Sequence, residues 1–150
     1  MKPTRVARYT LISEYIQHAL AEDIGSGDVT TDTIVPAGAT LRGRIVAKQD
    51  GIVAGLDVAK HVFLSLNSDV KFLAKTQDGS RVTRRDVLAD VEGPARALLT
   101  GERTALNFLG RMSGIATLTR QFVDAVSTTR AIEMIASRNP LLQAVNRLAP

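Results

Sequence analysis

The sequence has no cysteine and only two histidines, His18 and His61. The absence of thiols excludes disulfide bonds and thiolate metal sites, and two imidazoles are too few for a typical zinc site. Aromatic residues make up only 4% of the chain and no dense basic cluster occurs, which disfavours nucleic-acid binding. No apolar run approaches the roughly 20 residues of a membrane helix, and no signal-peptide core follows the basic first five residues. These absences predict a cytoplasmic protein without a membrane or nucleic-acid partner.

The chain has 150 residues, enough for one compact domain, and its 45% hydrophobic and 23% charged content is typical of a globular protein. The formal charge is +4, and most of the excess lies in residues 76–150, where ten arginines stand against seven acidic residues. A guanidinium is a planar fork that suits carboxylates and phosphates. The arginine excess therefore fits a small anionic ligand, and a solvated basic surface explains the composition equally well.

The hydrophobic pattern predicts a mixture of helices and strands. Thr10 can cap the first helix, and a long helix is expected from Thr100 to about Val126. Beyond residue 127 the pattern weakens. The other expected elements are a helix at 10–22 that buries Ile12, Tyr15, Ile16, Ala19 and Leu20, strands at 41–47 and 70–75, an extended piece at 51–55, a helix with its apolar stripe on Leu56, Ala59, Val62, Phe63 and Leu66, turns at 36–38 and 78–79, and extended segments at 87–91 and 95–99. This order of elements predicts an α+β fold.

The long helix has a polar stripe opposite an apolar arc. At 100° per residue, Arg103, Asn107, Gly110, Arg111 and Gly114 lie along one narrow stripe. The arc expected to face a core consists of Phe108, Leu109, Met112, Ile115, Ala116, Phe122 and Val123.

Arg103 is expected in the first turn of this helix, behind Glu102, where the helix dipole favours anions. The helix N-terminus and the Arg103 guanidinium would together bind a carboxylate or phosphate. The alternative is that the glycines serve helix packing and that the arginines are solvated or ion-paired.

An acidic loop follows the first helix, with carboxylates at Glu22, Asp23, Asp28 and Asp32. A magnesium or calcium loop is conceivable, but the regular acidic spacing and distal glutamate of an EF-hand are absent. A structural role in capping a turn is the favoured interpretation, so no metal ligand is predicted. His18 is expected to be half-buried and His61 solvated. No serine or threonine pairs with a histidine and an acid, so no catalytic residue is predicted.

Four motifs, in order, resemble those of the quinolinate phosphoribosyltransferases. They are ALAEDIGSGDVTT at residues 19–31, GIVAGL at 51–56, GPARALL at 93–99, and ERTALNFL at 102–109 continued by RMSGIAT at 111–117. The last is the most specific. Together they lie between residues 10 and 126, so the resemblance covers most of the chain.

The resemblance implies an N-terminal α/β sandwich at residues 1–110 and, at residues 111–150, the start of a truncated, divergent α/β barrel. It also implies the transfer of phosphoribose from phosphoribosyl pyrophosphate to quinolinate, with loss of carbon dioxide, to give nicotinate mononucleotide for NAD biosynthesis. Magnesium is expected for the full-length enzyme and no cofactor for this chain. The family further implies a homodimer or higher oligomer, in which one subunit's N-terminal domain closes the barrel site of the other.

The resemblance implies that Arg103 binds a quinolinate carboxylate across the subunit boundary, with Glu102, Asn107 and Arg111 in supporting roles. After residue 126 the family pattern Thr-Arg-Lys-Thr-x-Pro-Gly is expected, whereas residues 135–141 are IASRNPL. Arg138 could be a remnant of that pattern's arginine and is a second candidate for substrate binding.

Most of the expected active site is missing from these 150 residues, so the chain alone is expected to be inactive. Two alternatives stay open at this point. One is a non-catalytic module that pairs with a full-length homologue. The other is a related phosphoribosyltransferase-like protein associated with molybdenum transport.

Overall fold

The computed structural model describes residues 5–25, 34–36 and 38–127. The chain divides into two compact units, residues 1–116 and 117–150. The described elements, in chain order, are α1 (Arg5–Ile24), β1 (Thr40–Val46), β2 (Gly51–Ile52), α2 (Leu56–Leu66), β3 (Lys71–Ala74), β4 (Arg81–Val82), β5 (Val87–Pro94) and α3 (Ala95–Ser127). The mixture of helices and antiparallel strands confirms the predicted α+β fold class. None of the described helices has the length and hydropathy needed to cross a membrane.

The main sheet has three antiparallel strands in the order β1-β5-β3, and β2 pairs with β4 in a separate ribbon. Alternation along each strand places apolar side chains on one face, where Ile45, Ala89 and Val91 are buried. On the opposite face, Arg42 and Lys71 flank Glu92 from the two neighbouring strands. One face of the sheet therefore contributes to the core and the other carries charges.

Helices α1 and α2 pack against each other, and both contribute to the same core as the sheet. Ile16 of α1 and Val62 of α2 are completely buried, and each such side chain contributes roughly 1.5–3 kcal/mol of hydrophobic stabilisation. The predicted stripe on α2 is confirmed, with Leu66 partly buried. On α1 the predicted face is only partly right, because Ile12 is 37% exposed and Tyr15 70% exposed.

A carboxylate from a distant turn caps the start of α2. Asp78 accepts hydrogen bonds from the backbone N–H groups of Gly55 and Leu56 at 2.9 and 3.0 Å. These amides have no partner within the helix, and a negative charge at this end is favoured by the helix dipole. The predicted turn at 78–79 is confirmed, since Gly79 has φ +89°. Strand β4, which follows this turn, was not predicted.

Both long helices begin earlier than predicted. Helix α1 begins at Arg5, so Thr10 lies inside it and does not cap it. Helix α3 begins at Ala95, so the prediction of an extended segment at 95–99 is wrong. The physical reason is that alanine, arginine and leucine are strong helix formers, and that Pro94 lacks the N–H needed to continue a strand ladder.

The predicted apolar arc of α3 faces the core only in its first part. Leu109 is buried and Phe108 packs partly against the core cluster. Farther along the helix, Met112 is 37% exposed and Ile115 is 67% exposed. Phe122 and Val123 are 64% and 52% exposed. The prediction that these side chains face a core is therefore wrong, because the core cluster of the described residues reaches along α3 only as far as Leu109.

Candidate anion-binding site

Arg103 lies in the third turn of α3, which begins at Ala95. The expectation that it lies in the first turn is therefore wrong, because the preceding strand ends at Pro94 and the helix begins at Ala95 instead of Thr100. The unpaired amides of a helix belong to its first turn, two turns before Arg103. Its side chain is 77% exposed. An anion bound here would be held by side-chain donors.

The carboxylate of Asp23 lies beside Arg103, in the last turn of α1. Arg103 Nη1 is 3.3 Å from Asp23 Oδ1, and Thr104 Oγ1 donates to Asp23 Oδ2 at 3.0 Å. Thr104 is only 3% exposed, so its hydroxyl is held in the core. The contact joins the motif at 19–31 to the motif at 102–109. Sequence reasoning treated the acidic loop and the arginine helix as separate features, and therefore missed the link.

One signal in the sequence pointed to this contact. Asp23 lies at the C-terminal end of α1, whose last turn has no basic residue. The helix dipole disfavours an anion at that end, so the carboxylate needs a cation from elsewhere in the fold. The signal does not identify the cation, because the two residues are 80 positions apart.

The polar stripe of α3 faces solvent, as its helical spacing predicts. Asn107, Gly110, Arg111 and Gly114 are exposed together with Arg103. A Cβ added at Gly110 or Gly114 would meet no atom within 4 Å among the described residues. The two glycines therefore do not serve packing within the described part of the chain. They leave open space beside three exposed polar side chains. Glu102 is exposed as well.

Two further family motifs are joined by Ser113 of α3. Its Oγ accepts from the backbone N–H of Ala54 at 3.0 Å and donates to the carbonyl oxygen of Ala54 at 3.2 Å. Beside this bond, a Cβ at Gly55 would lie 2.8 Å from the Sδ of Met112. Gly55 also has φ +100°, which favours glycine. Sequence reasoning did not assign a role to Ser113, which here holds the 51–56 motif against α3.

The two histidines are placed opposite to expectation. His18 is exposed, and His61 is half-buried with its Nε2 3.1 Å from Ser13 Oγ. The reason is that His61 lies on the side of α2 that packs against α1. Asp28, Asp32 and Arg138 lie outside the described residues.

Magnesium, which the resemblance implies for the full-length enzyme, finds no fit in the described part of the chain. No three His, Asp or Glu side chains come together within residues 5–25, 34–36 and 38–127. The oxygens of Asp23 are already engaged by Arg103 and Thr104. The described residues therefore offer an exposed guanidinium and no cluster of three metal-ligating side chains.

Comparisons with known proteins agree with the motifs. The family model described as "Quinolinate phosphoribosyl transferase, N-terminal domain" matches residues 28–113. A Synechocystis protein named "Probable nicotinate-nucleotide pyrophosphorylase (carboxylating)" is 42% identical over 79% of this chain and 40% of its own length. A Mycobacterium leprae protein named "Nicotinate-nucleotide pyrophosphorylase (carboxylating)" is 41% identical over 89% of this chain and 49% of its own length.

The fold agrees with that of a solved relative. The crystal structure of NadC from Streptococcus pyogenes superposes with a TM-score of 0.75 and 37% identity, over 79% of this chain and 43% of that protein. The chain thus spans less than half the length of these relatives. Because the family model matches more than half of the chain, the resemblance is confirmed. The chain belongs to the family of the quinolinate phosphoribosyltransferase N-terminal domain.

Proposed function

We propose that this chain supplies the N-terminal domain of a quinolinate phosphoribosyltransferase. The reaction would join quinolinate and phosphoribosyl pyrophosphate, releasing pyrophosphate and carbon dioxide and giving nicotinate mononucleotide for NAD biosynthesis. Relatives with 41–42% identity are named for this activity. The observation that carries the proposal is the 77% exposed Arg103 within the family's most specific motif.

The role we assign to Arg103 is to bind one carboxylate of quinolinate. A dianionic substrate needs fixed cations, and a guanidinium fork can bind a carboxylate through two parallel hydrogen bonds. Within the described residues, Asp23 engages only Nη1 of this guanidinium, and the Arg103 side chain is 77% exposed. Asn107 and Arg111 lie on the same exposed stripe and are proposed to support the site. Glu102 is exposed beside Arg103 and is proposed to act at the subunit interface.

Binding at Arg103 would contribute orientation and charge neutralisation. Phosphoribosyl transfer needs the acceptor ring held in line with the sugar, and neutralising a carboxylate reduces its repulsion of the diphosphate. Arg138 stays a prediction for a second contact with the substrate. We propose that the whole enzyme binds magnesium, contains the pyrophosphate site and is cytoplasmic.

We propose that Arg103 acts across a subunit boundary in a homodimer or higher oligomer. Its exposure supports this, because the described residues leave most of its side chain uncovered. The 67% exposed Ile115, on the same helix, offers apolar surface for a partner chain. The same features favour pairing with a full-length homologue, which is the alternative function.

The test is quinolinate binding measured by calorimetry. The chain is titrated alone and after mixing with the full-length Mycobacterium leprae relative, in which the arginine corresponding to Arg103 has been replaced by alanine. We expect the mixture to regain binding that neither component has alone, because this chain lends its guanidinium to the relative's site. The matched control is Arg120→Ala, which removes an exposed arginine of α3 that pairs with Asp124 at 2.8 Å.

Two outcomes separate the possibilities. Restored binding that is lost with Arg103→Ala and kept with Arg120→Ala supports the shared site. Absence of binding in every mixture, with complex formation confirmed by sedimentation, contradicts the proposed role of Arg103.

A further inference from the structure

We infer that Asp23 is a positioning residue for Arg103, and that the buried hydroxyl of Thr104 fixes Asp23 in turn. The inference rests on the proposed function, since it concerns how the substrate-binding guanidinium is held before the substrate arrives. It adds two residues that act through Arg103 and not on the substrate.

The geometry divides the Asp23 carboxylate between two partners. Oδ2 accepts the Thr104 hydroxyl at 3.0 Å and Oδ1 lies 3.3 Å from Arg103 Nη1. Thr104 is 3% exposed, the Asp23 side chain is 22% exposed, and the Arg103 side chain is 77% exposed. Burial therefore decreases outward from the core, through the carboxylate, to the exposed guanidinium. This is the arrangement expected when a core contact orients a surface group.

The folding of α1 does not account for the carboxylate. An anion at a helix C-terminus is unfavourable to that helix, and no basic residue occupies its last turn. The ion pair is also mostly exposed on its arginine side, and exposed pairs add little stability. A residue that opposes a local preference without a clear gain in stability points to a functional constraint.

Asp23 could instead compete with the substrate for Arg103, and the geometry decides between the two roles. A tight charge-assisted hydrogen bond is about 2.7–2.9 Å long and is often bidentate. The contact here is 3.3 Å and uses one nitrogen, so it restrains the side chain without occupying the whole fork. An unrestrained arginine loses more rotamer entropy on binding. We therefore expect loss of the restraint to weaken quinolinate binding roughly two- to tenfold.

The first test needs no substrate. Nitrogen-15 relaxation of the Arg103 Nε–Hε group is measured in the free chain and in variants. We expect Asp23→Ala and Thr104→Val to lower its order parameter, because each removes one step of the restraint. Thr104→Ser keeps the hydroxyl and should preserve it. Glu14→Gln removes an exposed charge elsewhere on α1 and is the matched control.

The second test measures quinolinate affinity in the mixture with the arginine-deficient relative. We expect weaker binding for Asp23→Ala and Thr104→Val, with Thr104→Ser and Glu14→Gln at the parental value. A merely structural role would change the melting temperature without making Thr104→Val and Thr104→Ser differ in quinolinate affinity. If Asp23→Ala does not fold, the Thr104 pair alone decides.

The outcomes distinguish this inference from the proposed function. An unchanged Arg103 order parameter in Asp23→Ala overturns the positioning role, whatever the binding result. Tighter quinolinate binding in Asp23→Ala overturns it too and makes Asp23 a competitor for the guanidinium. If Arg103→Ala leaves binding in the mixture intact, the proposed function fails, and the functional part of this inference fails with it.

Discussion

Arg85 has a φ of +80°, a backbone conformation that residues other than glycine rarely adopt. It lies in the turn between β4 and β5, where its backbone N–H donates to the carbonyl of Ala47 at 2.8 Å. The next residue, Asp86, accepts from both the N–H and the hydroxyl of Thr83. Backbone hydrogen bonds and Asp86 therefore define the turn. The requirement at position 85 is a positive φ and not an arginine side chain.

We predict that Arg85→Gly raises the free energy of unfolding by about 1 kcal/mol, because glycine has no Cβ to oppose positive φ. Urea denaturation measures the change. Arg84→Gly is the matched control, since it removes the same charge at an ordinary φ, and it should lower stability by up to about 1 kcal/mol. Equal effects of the two substitutions would contradict the prediction.

Glu92 lies at the centre of a charge ladder across the outer face of the sheet. Its Oε2 accepts from Arg42 Nη2 at 2.6 Å, and Lys71 Nζ lies 3.9 Å from Oε1. The hydrogen bond from Arg42, then the charges of Arg42 and Lys71, hold the pKa of Glu92 below its ordinary value of 4.5. The folded state therefore binds fewer protons here than the unfolded chain as the pH falls through this range. The stabilisation is present above pH 4.5 and is lost toward the lower folded pKa.

The corresponding prediction concerns Glu92→Gln. This variant should be less stable than the parent at pH 7 and should converge with it as the pH falls well below 4.5. The difference at pH 7 should also shrink at high salt, since the ladder is exposed. Urea midpoints at pH 7 and pH 3 check this, with Glu14→Gln as a control outside the sheet. A difference that does not shrink as the pH falls below 4.5 would exclude the charge ladder as its cause.

The charge pattern of the sequence indicated that the arginines are important, but it did not identify the partner of each arginine. The pairing of Arg42 with Glu92 depends on the strand register, and that of Arg103 with Asp23 depends on how α1 meets α3. Neither arrangement follows from local sequence, because the partners are 50 and 80 positions apart.

At the element scale, the glycines of α3 differ in role despite their shared helix. A Cβ at Gly101 would lie 2.8 Å from Leu66 Cδ1 and 3.1 Å from Phe63 Cδ1. Gly101 is therefore the point of close approach between α2 and α3. Gly110 is exposed with open space around it among the described residues. Helical periodicity placed Gly110 on the polar stripe, but only the packing identifies the tight contact at Gly101.

We predict opposite effects of alanine at these two positions. Gly101→Ala should lower the free energy of unfolding by roughly 1–2 kcal/mol, because overpacking outweighs the gain in helix propensity. Gly110→Ala should raise it by about 1 kcal/mol through propensity alone. Thermal and urea unfolding of both variants test this. If Gly110→Ala also weakens quinolinate binding, the open space beside Arg103 belongs to the site.

At the scale of the whole molecule, the chain spans less than half the length of its relatives and presents apolar side chains to solvent. Leu106 is 41% and Ile115 67% exposed on α3, and Leu73 is 58% exposed on the outer sheet face. Exposed apolar side chains on an arginine-bearing helix fit the proposed pairing with a second chain.

We predict that Ile115→Glu reduces association and leaves the melting temperature nearly unchanged, because a mostly exposed side chain contributes little to the fold. Analytical ultracentrifugation over a range of concentrations measures the association. Leu73→Glu, which places the same charge on the outer face of the sheet, should associate as the parent does. A parent chain that stays monomeric at all concentrations, alone and with the relative, would contradict the pairing proposal.

Sequence by itself determined the types of most elements and the family. The α2 stripe, the alternation of β1 and the turn at Asp78-Gly79 follow from periodicity and turn chemistry, which act between near neighbours. The motifs at 51–56 and 102–109 could be recognised without coordinates. The starts of α1 and α3 were misplaced, and for α3 the strong helix formers at 95–99 were interpreted as an extended segment.

Only the tertiary structure decided how the distant parts meet. It joined Asp78 to the start of α2 across 22 positions and Ser113 to Ala54 across 59. It also brought Asp23 beside Arg103. Along α3 the core ends at Leu109, whereas helical periodicity predicted that the apolar arc faces the core farther along the helix. The physical reason is the same in each case. The partner of a residue depends on which distant segments the fold brings together. The local sequence of one helix or strand does not specify that arrangement.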